Sequence, residues 1–193
     1  MLPDLKQVLP DLDVERMGKE AVGKFILGQL YEDLKKVRKN LLLKLDEILS
    51  TIVLMIYDLN ENAAWINISG DGLVVCNGIL KEIDQENMPD YLAYHLDIKF
   101  DDWLQNQTQT LEYKNIRDIS ISTDGITKLK KNPQRVSRDV DIIDLFLIQE
   151  PKGSQERALF NTYLSLIEEE QYITYDDLGI IRLMPSPALS VDN

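Results

Sequence analysis

Residues 50–84 leave this chain little choice of architecture, because they hold four short strand-like segments whose connections are too brief for a helix. Residues 50–57 (STIVLMIY) form a continuous apolar, β-rich run, the pattern of a strand buried on both faces. Residues 58–62 are a polar turn, and residues 63–69 (AAWINIS) alternate as a second strand. Gly70-Asp71-Gly72 reads as a tight turn and residues 73–76 as a third strand. Asn77-Gly78 has the residues of a two-residue hairpin that needs positive φ at both positions, and residues 79–83 complete it. The segment predicts an antiparallel meander.

Helical periodicity precedes the meander. Ile26, Leu30, Leu34, Val37, Leu41 and Leu45 recur at steps of four and three, so residues 14–46 are expected to be mainly helix, with Glu32 and Lys36 paired on its wet side. Residues 1–13 repeat the phrase Leu-Pro-Asp-Leu and read as an extension. Beyond the meander, residues 100–104 suggest a short helix, 108–113 a strand, 117–123 a strand ending at Asp124-Gly125, and 140–148 an apolar helix. Pro151-Lys152-Gly153 breaks it. Ser154 then caps a helix carrying Leu159, Phe160, Tyr163, Leu164 and Ile167 on one side. Glu168, Glu169 and Glu170 at its end oppose the helix dipole. Residues 177–183 are a last strand and 184–193 a tail with two prolines. One domain is expected over 14–183, with sheets covered by helices.

Composition removes several chemistries. The chain has 193 residues, one cysteine (Cys76) and one histidine (His95), too few for a thiolate or imidazole zinc site. A Ser-His-Asp arrangement would have to use His95, whose apolar neighbours favour a packed ring. No phosphate-cradling glycine loop is present. The net charge of −12 disfavours nucleic acid and anionic membrane as partners. A cysteine count without a disulfide, no signal-like start and no long apolar run point to the cytoplasm. Carboxylates must carry any chemistry, and they suit Mg²⁺ or Mn²⁺. One cationic stretch stands apart: Lys128, Lys130, Lys131, Arg135 and Arg138 occur with no acid among them, either as a solvated loop or as an anion site.

Three aspartates sit where strands start or end: Asp71 in Gly70-Asp71-Gly72, Asp124 in Thr123-Asp124-Gly125, and Asp176 in Asp176-Asp177-Leu178-Gly179. Each alone is ordinary turn chemistry. Taken in order with Ser50-Thr51-Ile52-Val53 and Asn77-Gly78, they resemble the metal-dependent type 2C (PPM-type) serine/threonine protein phosphatases, in wording close to a divergent bacterial branch. The resemblance runs from about residue 20 to residue 183. It implies an α/β fold of the layered α+β kind, an antiparallel β-sandwich flanked by helices. It implies that Asp124 and Asp176 ligate one metal and that Asp71 helps to hold a further, weaker one. It also implies that metal-activated water attacks a phosphoserine or phosphothreonine. Asp177 stands where the family has Asn, and Gly72 where it has Ser. The family's first strands, with a phosphate-gripping Arg, a Glu-Asp pair and an Asp-Gly whose Asp bridges two metals, have no counterpart before Ser50, so the resemblance is N-terminally incomplete.

Three functions follow as expectations. The first is a metal-dependent phosphoprotein phosphatase in which Lys128, Lys130, Lys131 and Arg135 replace the missing phosphate grip. Its exposed sheet edges would favour homo-oligomers. The second is an inactive pseudophosphatase that binds proteins. The third is an interaction protein whose aspartate turns are only turns. No catalytic residue is assigned.

Overall fold

A computed structural model describes residues 16–86, 88–107, 109–131, 140–149, 158–168 and 172–185. The expectations for the 1–13 extension, the break at 151–153, the Ser154 cap, Glu169, Glu170, Arg135, Arg138 and the tail from 186 lie outside them. The fold mixes helices with antiparallel sheets. Proximity divides the chain into two compact units, Met1–Gly70 with Gln85–Asn115, and Asp71–Asp84 with Ile116–Asn193.

The first unit holds helix α1 (Lys19–Leu41) and a three-stranded sheet of order β1 (Ile52–Asp58), β2 (Ala63–Ser69) and β5 (Thr110–Lys114). Both pairings are antiparallel, running from Ile52↔Ser69 to Asp58↔Ala63 and from Ala63↔Lys114 to Asn67↔Thr110. β2 lies between two strands and is buried along its whole length, whereas β1 is only half-buried. The expected doubly buried strand is therefore β2, because β1 has a partner on one side only.

Helix α1 packs across β1 and β2. It buries Val22, Gly23, Leu27 and Tyr31, a stripe rotated from the expected leucines, of which Leu30, Leu34 and Leu45 pack half-buried against the core while Val37 and Leu41 are exposed. The rotation has a cause in packing. A Cβ on Gly23 would meet the Trp65 ring at 2.2 Å, so that glycine lets a fully buried indole press on the helix backbone. The Tyr31 hydroxyl donates to the carbonyl of His95 at 2.6 Å and also meets that of Ile98, tying α1 to the 3-10 turn Leu92–His95. Around Tyr31 gather Leu92, Ala93, Leu96 and Trp103, the last from helix α2 (Phe100–Asn106). Lys36 pairs with Asp33 at 2.8 Å rather than with Glu32. His95 is half-buried, its Nε2 on the Asp90 carboxylate, while Ser69 Oγ donates to the Asp90 backbone carbonyl, so no triad forms there.

The second unit holds a four-stranded antiparallel sheet of order β4 (Ile79–Ile83), β3 (Gly72–Cys76), β6 (Ile119–Thr123) and β9 (Ile180–Leu183). The meander is thus divided: β1 and β2 belong to one sheet, β3 and β4 to another. Asn77 (φ 51°) and Gly78 (φ 81°) form the expected hairpin. β4 is an exposed edge. Lys130 and Lys131, expected in a loop, form β7, which pairs with β8 (Tyr172–Ile173). Residues 144–148 wind as a π-helical turn, and helix α3 spans Ala158–Glu168. A core of Leu73, Val75, Ile126, Leu129, Phe146, Leu147, Leu166 and Tyr172 joins these parts. In α3, Leu166 supplies the buried contact, with Leu159, Tyr163 and Ile167 beside it. Phe160, one residue off that face, is exposed. Arg182 on β9 is nearly inaccessible. It bonds to Asp118 and donates to the carbonyls of Ile148 (2.8 Å) and Gln149 (2.6 Å).

The glycines of α1 give a test. Gly23→Ala should cost about 1–3 kcal/mol by overpacking against Trp65. Gly28→Ala meets Phe100 only at 3.4 Å and should be neutral or stabilising by up to about 1 kcal/mol. Urea unfolding of both variants measures the contrast.

Candidate metal centre

Register brings Asp71 and Asp124 to one end of the four-stranded sheet, and Asp176 lies in the segment that leads into β9. Gly72 pairs with Thr123, so Asp71 and Asp124 stand one step beyond the last pair of the β3–β6 ladder. On the other side of β6, Ser122 pairs with Ile180, and the Thr123 amide donates to the Gly179 carbonyl at 3.0 Å. The segment 176–179 therefore runs past the start of the 3-10 turn Asp124–Lys128.

Thr123 stitches the two together. Its Oγ1 donates to the Asp177 carbonyl at 3.1 Å and accepts the Gly179 amide at 3.0 Å. Gly125 permits the closeness, since a Cβ there would meet the Asp177 carbonyl oxygen at 2.1 Å. Two local bonds shape the turns: Thr127 Oγ1 donates to the Asp124 carbonyl at 2.8 Å, and the Asp177 amide donates to Asp176 Oδ1 at 2.8 Å. Residue pattern singled out the aspartates. It missed Thr123 as a brace, because threonine at a strand end is an ordinary β former.

Electrostatics show which groups share the site. Partial burial pushes the Asp124 carboxyl above its ordinary value, and the negative charges of Asp176 and, more weakly, Asp71 push it further, while Lys128 opposes them. Asp124 thus feels the charges of Asp176 and Lys128, and more weakly that of Asp71. Lys130 and Lys131 lie just beyond, on β7. Among the described residues no group of three or more histidine, cysteine or carboxylate side chains could hold a metal ion. The donors present fit a hard divalent cation in kind. Mg²⁺ commonly takes only one or two protein carboxylates and completes its shell with water and substrate phosphate. They fall short of what two ions would need.

The sign of the acidity change is testable. An acid whose folded pKa is raised binds its proton better in the folded state, so stability falls as pH rises from below 3.8, the ordinary value, through the raised one. Ionised Asp124 then weakens the metal-free fold at neutral pH. Asp124→Asn should melt higher than the parent at pH 7 in the presence of a chelator, and the gap should close as pH is lowered towards 3.8. Thermal scans across pH measure it.

No protein-family model matches the chain, and no curated protein matches it either. Among solved structures, it is similar to the phosphatase domain of the cell fate determinant SpoIIE from Bacillus subtilis, presoaked with Mn, at 12% identity and a TM-score of 0.41. That match covers 97% of this chain and 75% of the other. A second structure of the same domain is similar at 14% identity and a TM-score of 0.38, over 83% of this chain and 72% of the other.

Proposed function

We propose that residues 14–183 form a metal-dependent phosphatase domain that hydrolyses phosphoserine or phosphothreonine in a protein substrate. The observation that carries this reading is the approach of the turn bearing Asp124 to the segment bearing Asp176, remote in the chain, at one sheet end, where the charge of Asp176 helps to hold the Asp124 carboxyl above its ordinary value. Such a pair is stable in its ionised form when a cation lies between the carboxylates. Mg²⁺ or Mn²⁺ suits these oxygen donors. When bound, such an ion supplies an acidified water and neutralises phosphoryl oxygens. The chain's own residues do the rest. Asp124 and Asp176 hold the ion, and Asp71 adds negative charge from the start of β3. Lys128 offers the incoming phosphate a positive charge, and Lys130 and Lys131 extend it, with Arg135 next along the chain. Thr123 and Gly125 fix the spacing of the two carboxylate turns.

A bacterial cytoplasm is the setting in this proposal, with neither nucleic acid nor membrane as partner. Among the described residues no helix is long and apolar enough to cross a membrane. Self-association through a sheet edge belongs to the same proposal.

Hydrolysis of p-nitrophenyl phosphate with Mn²⁺ is the test. Asp124→Ala should lose more activity than the roughly 100-fold that removal of an outer-shell partner costs. Equal rates for parent and variant would remove Asp124 from the site. The absence of a three-donor group among the described residues favours a second reading, a pseudophosphatase that binds proteins without chemistry. Titration calorimetry with MnCl₂ separates the two: heat that vanishes in Asp176→Ala supports the enzyme, and no heat in the parent supports the binding module.

A further inference from the structure

The end of α1 breaks two rules at one residue. Leu42 caps the helix in the left-handed conformation (φ 54°, ψ 37°), where glycine or asparagine is the usual choice. Its side chain is also 88% exposed. A leucine there strains the backbone and leaves an isobutyl group in water, and neither serves folding. Its neighbour Leu41 is 66% exposed and Val37 43%.

The charge around this apolar edge is opposite to that of the protein. Lys35, Lys36, Arg38, Lys39 and Lys44 fall between residues 35 and 44 with no acid among them, in a chain of net charge −12. Cations in a last helical turn complement the dipole, but that accounts for no exposed leucine. Lys35, Arg38, Lys39, Leu42, Leu43 and Asp97 line a cleft of about 540 Å³, within the size range of ligand pockets. The pairings of these cations are at the surface: Arg38 to Asp97 at 3.6 Å, Lys35 to Glu32 at 3.9 Å and above the Tyr31 ring at 4.8 Å, and Lys36 to Asp33 at 2.8 Å. Such contacts are weak enough for an incoming carboxylate to displace.

The geometry points to a docking site at the C-terminal end of α1 for an acidic amphipathic segment of a partner protein, its leucine-type side chains against Leu42 and Leu43 and its carboxylates on Lys35, Arg38 and Lys39. An open apolar depression bordered by cations has room for one face of an amphipathic peptide, whereas an anionic bilayer would meet the rest of this acidic protein, which repels it. The inference is independent of any phosphatase activity.

The test uses the full chain and a fluorescein-labelled peptide of about fifteen residues, with leucines at helical spacing among glutamates. The same peptide with lysine for glutamate and vesicles of phosphatidylserine and phosphatidylcholine serve as comparisons. The parent should bind the acidic peptide and not the basic one. Leu42→Gly should raise the melting temperature by about 2–4 °C, because glycine accepts the left-handed cap, and weaken binding at least about tenfold. Lys39→Gln should weaken binding similarly while lowering the melting temperature by no more than about 3 °C, the effect of one charge lost at a helix end. The proposal falls under any of three results: the parent binds no acidic peptide, either variant binds as tightly as the parent, or the protein sediments with vesicles while ignoring the peptide.

Discussion

The approach of Gly125 to the Asp177 carbonyl is the constraint on which the candidate site depends. Backbone meets backbone there at a distance that any side chain would forbid. Without it, the turn after β6 and the segment before β9 would separate, and the Thr123 hydroxyl could not span both the Asp177 carbonyl and the Gly179 amide. Everything that distinguishes this sheet end follows: two acidic turns held side by side by neutral contacts, with the acids themselves left to repel.

That repulsion is set against the stability of the surrounding framework. Arg182 gathers Asp118 and the carbonyls of Ile148 and Gln149, at the end of the π-helical turn, into one part-buried network, and Ser120 donates to the Leu147 carbonyl at 3.1 Å. These contacts fix β6 and β9 independently of the charges at their tips. A framework pinned elsewhere can hold like charges together, as sites that bind cations must.

Much of this was legible in the residues. The Asn77-Gly78 hairpin was, because its two positive φ values demand that pair. The strand-end positions of Asp71 and Asp124 were, because strand and turn chemistry alternate sharply around them, whereas Asp176 lies four residues ahead of β9, which begins at Ile180 rather than at Asp177. Sheet membership was not. Gly70-Asp71-Gly72 reads as one more hairpin, yet Gly70 (φ 96°) is where the chain leaves the first sheet, and Thr51 and Tyr91 crowd its Cα. The face of α1 was legible only in part, at Leu30 and Leu34, because periodicity counts leucines, while the closest packing turned on Gly23, which has no side chain to count. The two-residue strands β7 and β8 are too short for any alternation to register. Leu42 carried a signal that went unread, a leucine run at a helix end with no glycine to stop it.

The open rim of β4 has a further consequence. Backbone groups able to pair outward recur at every second residue of a strand, so two copies related by a twofold axis can align antiparallel only about a residue, never between two. Aligned over its full length, Ile79–Ile83 is centred on Lys81, which sets ammonium against ammonium. Slipped by one step, it is centred either on Glu82, which sets carboxylate against carboxylate, or on Leu80, which sets leucine against leucine. Charge thus opposes the full-length alignment and one of the slipped ones, and leaves the short pairing about the exposed Leu80 as the alignment open to a second copy at this rim.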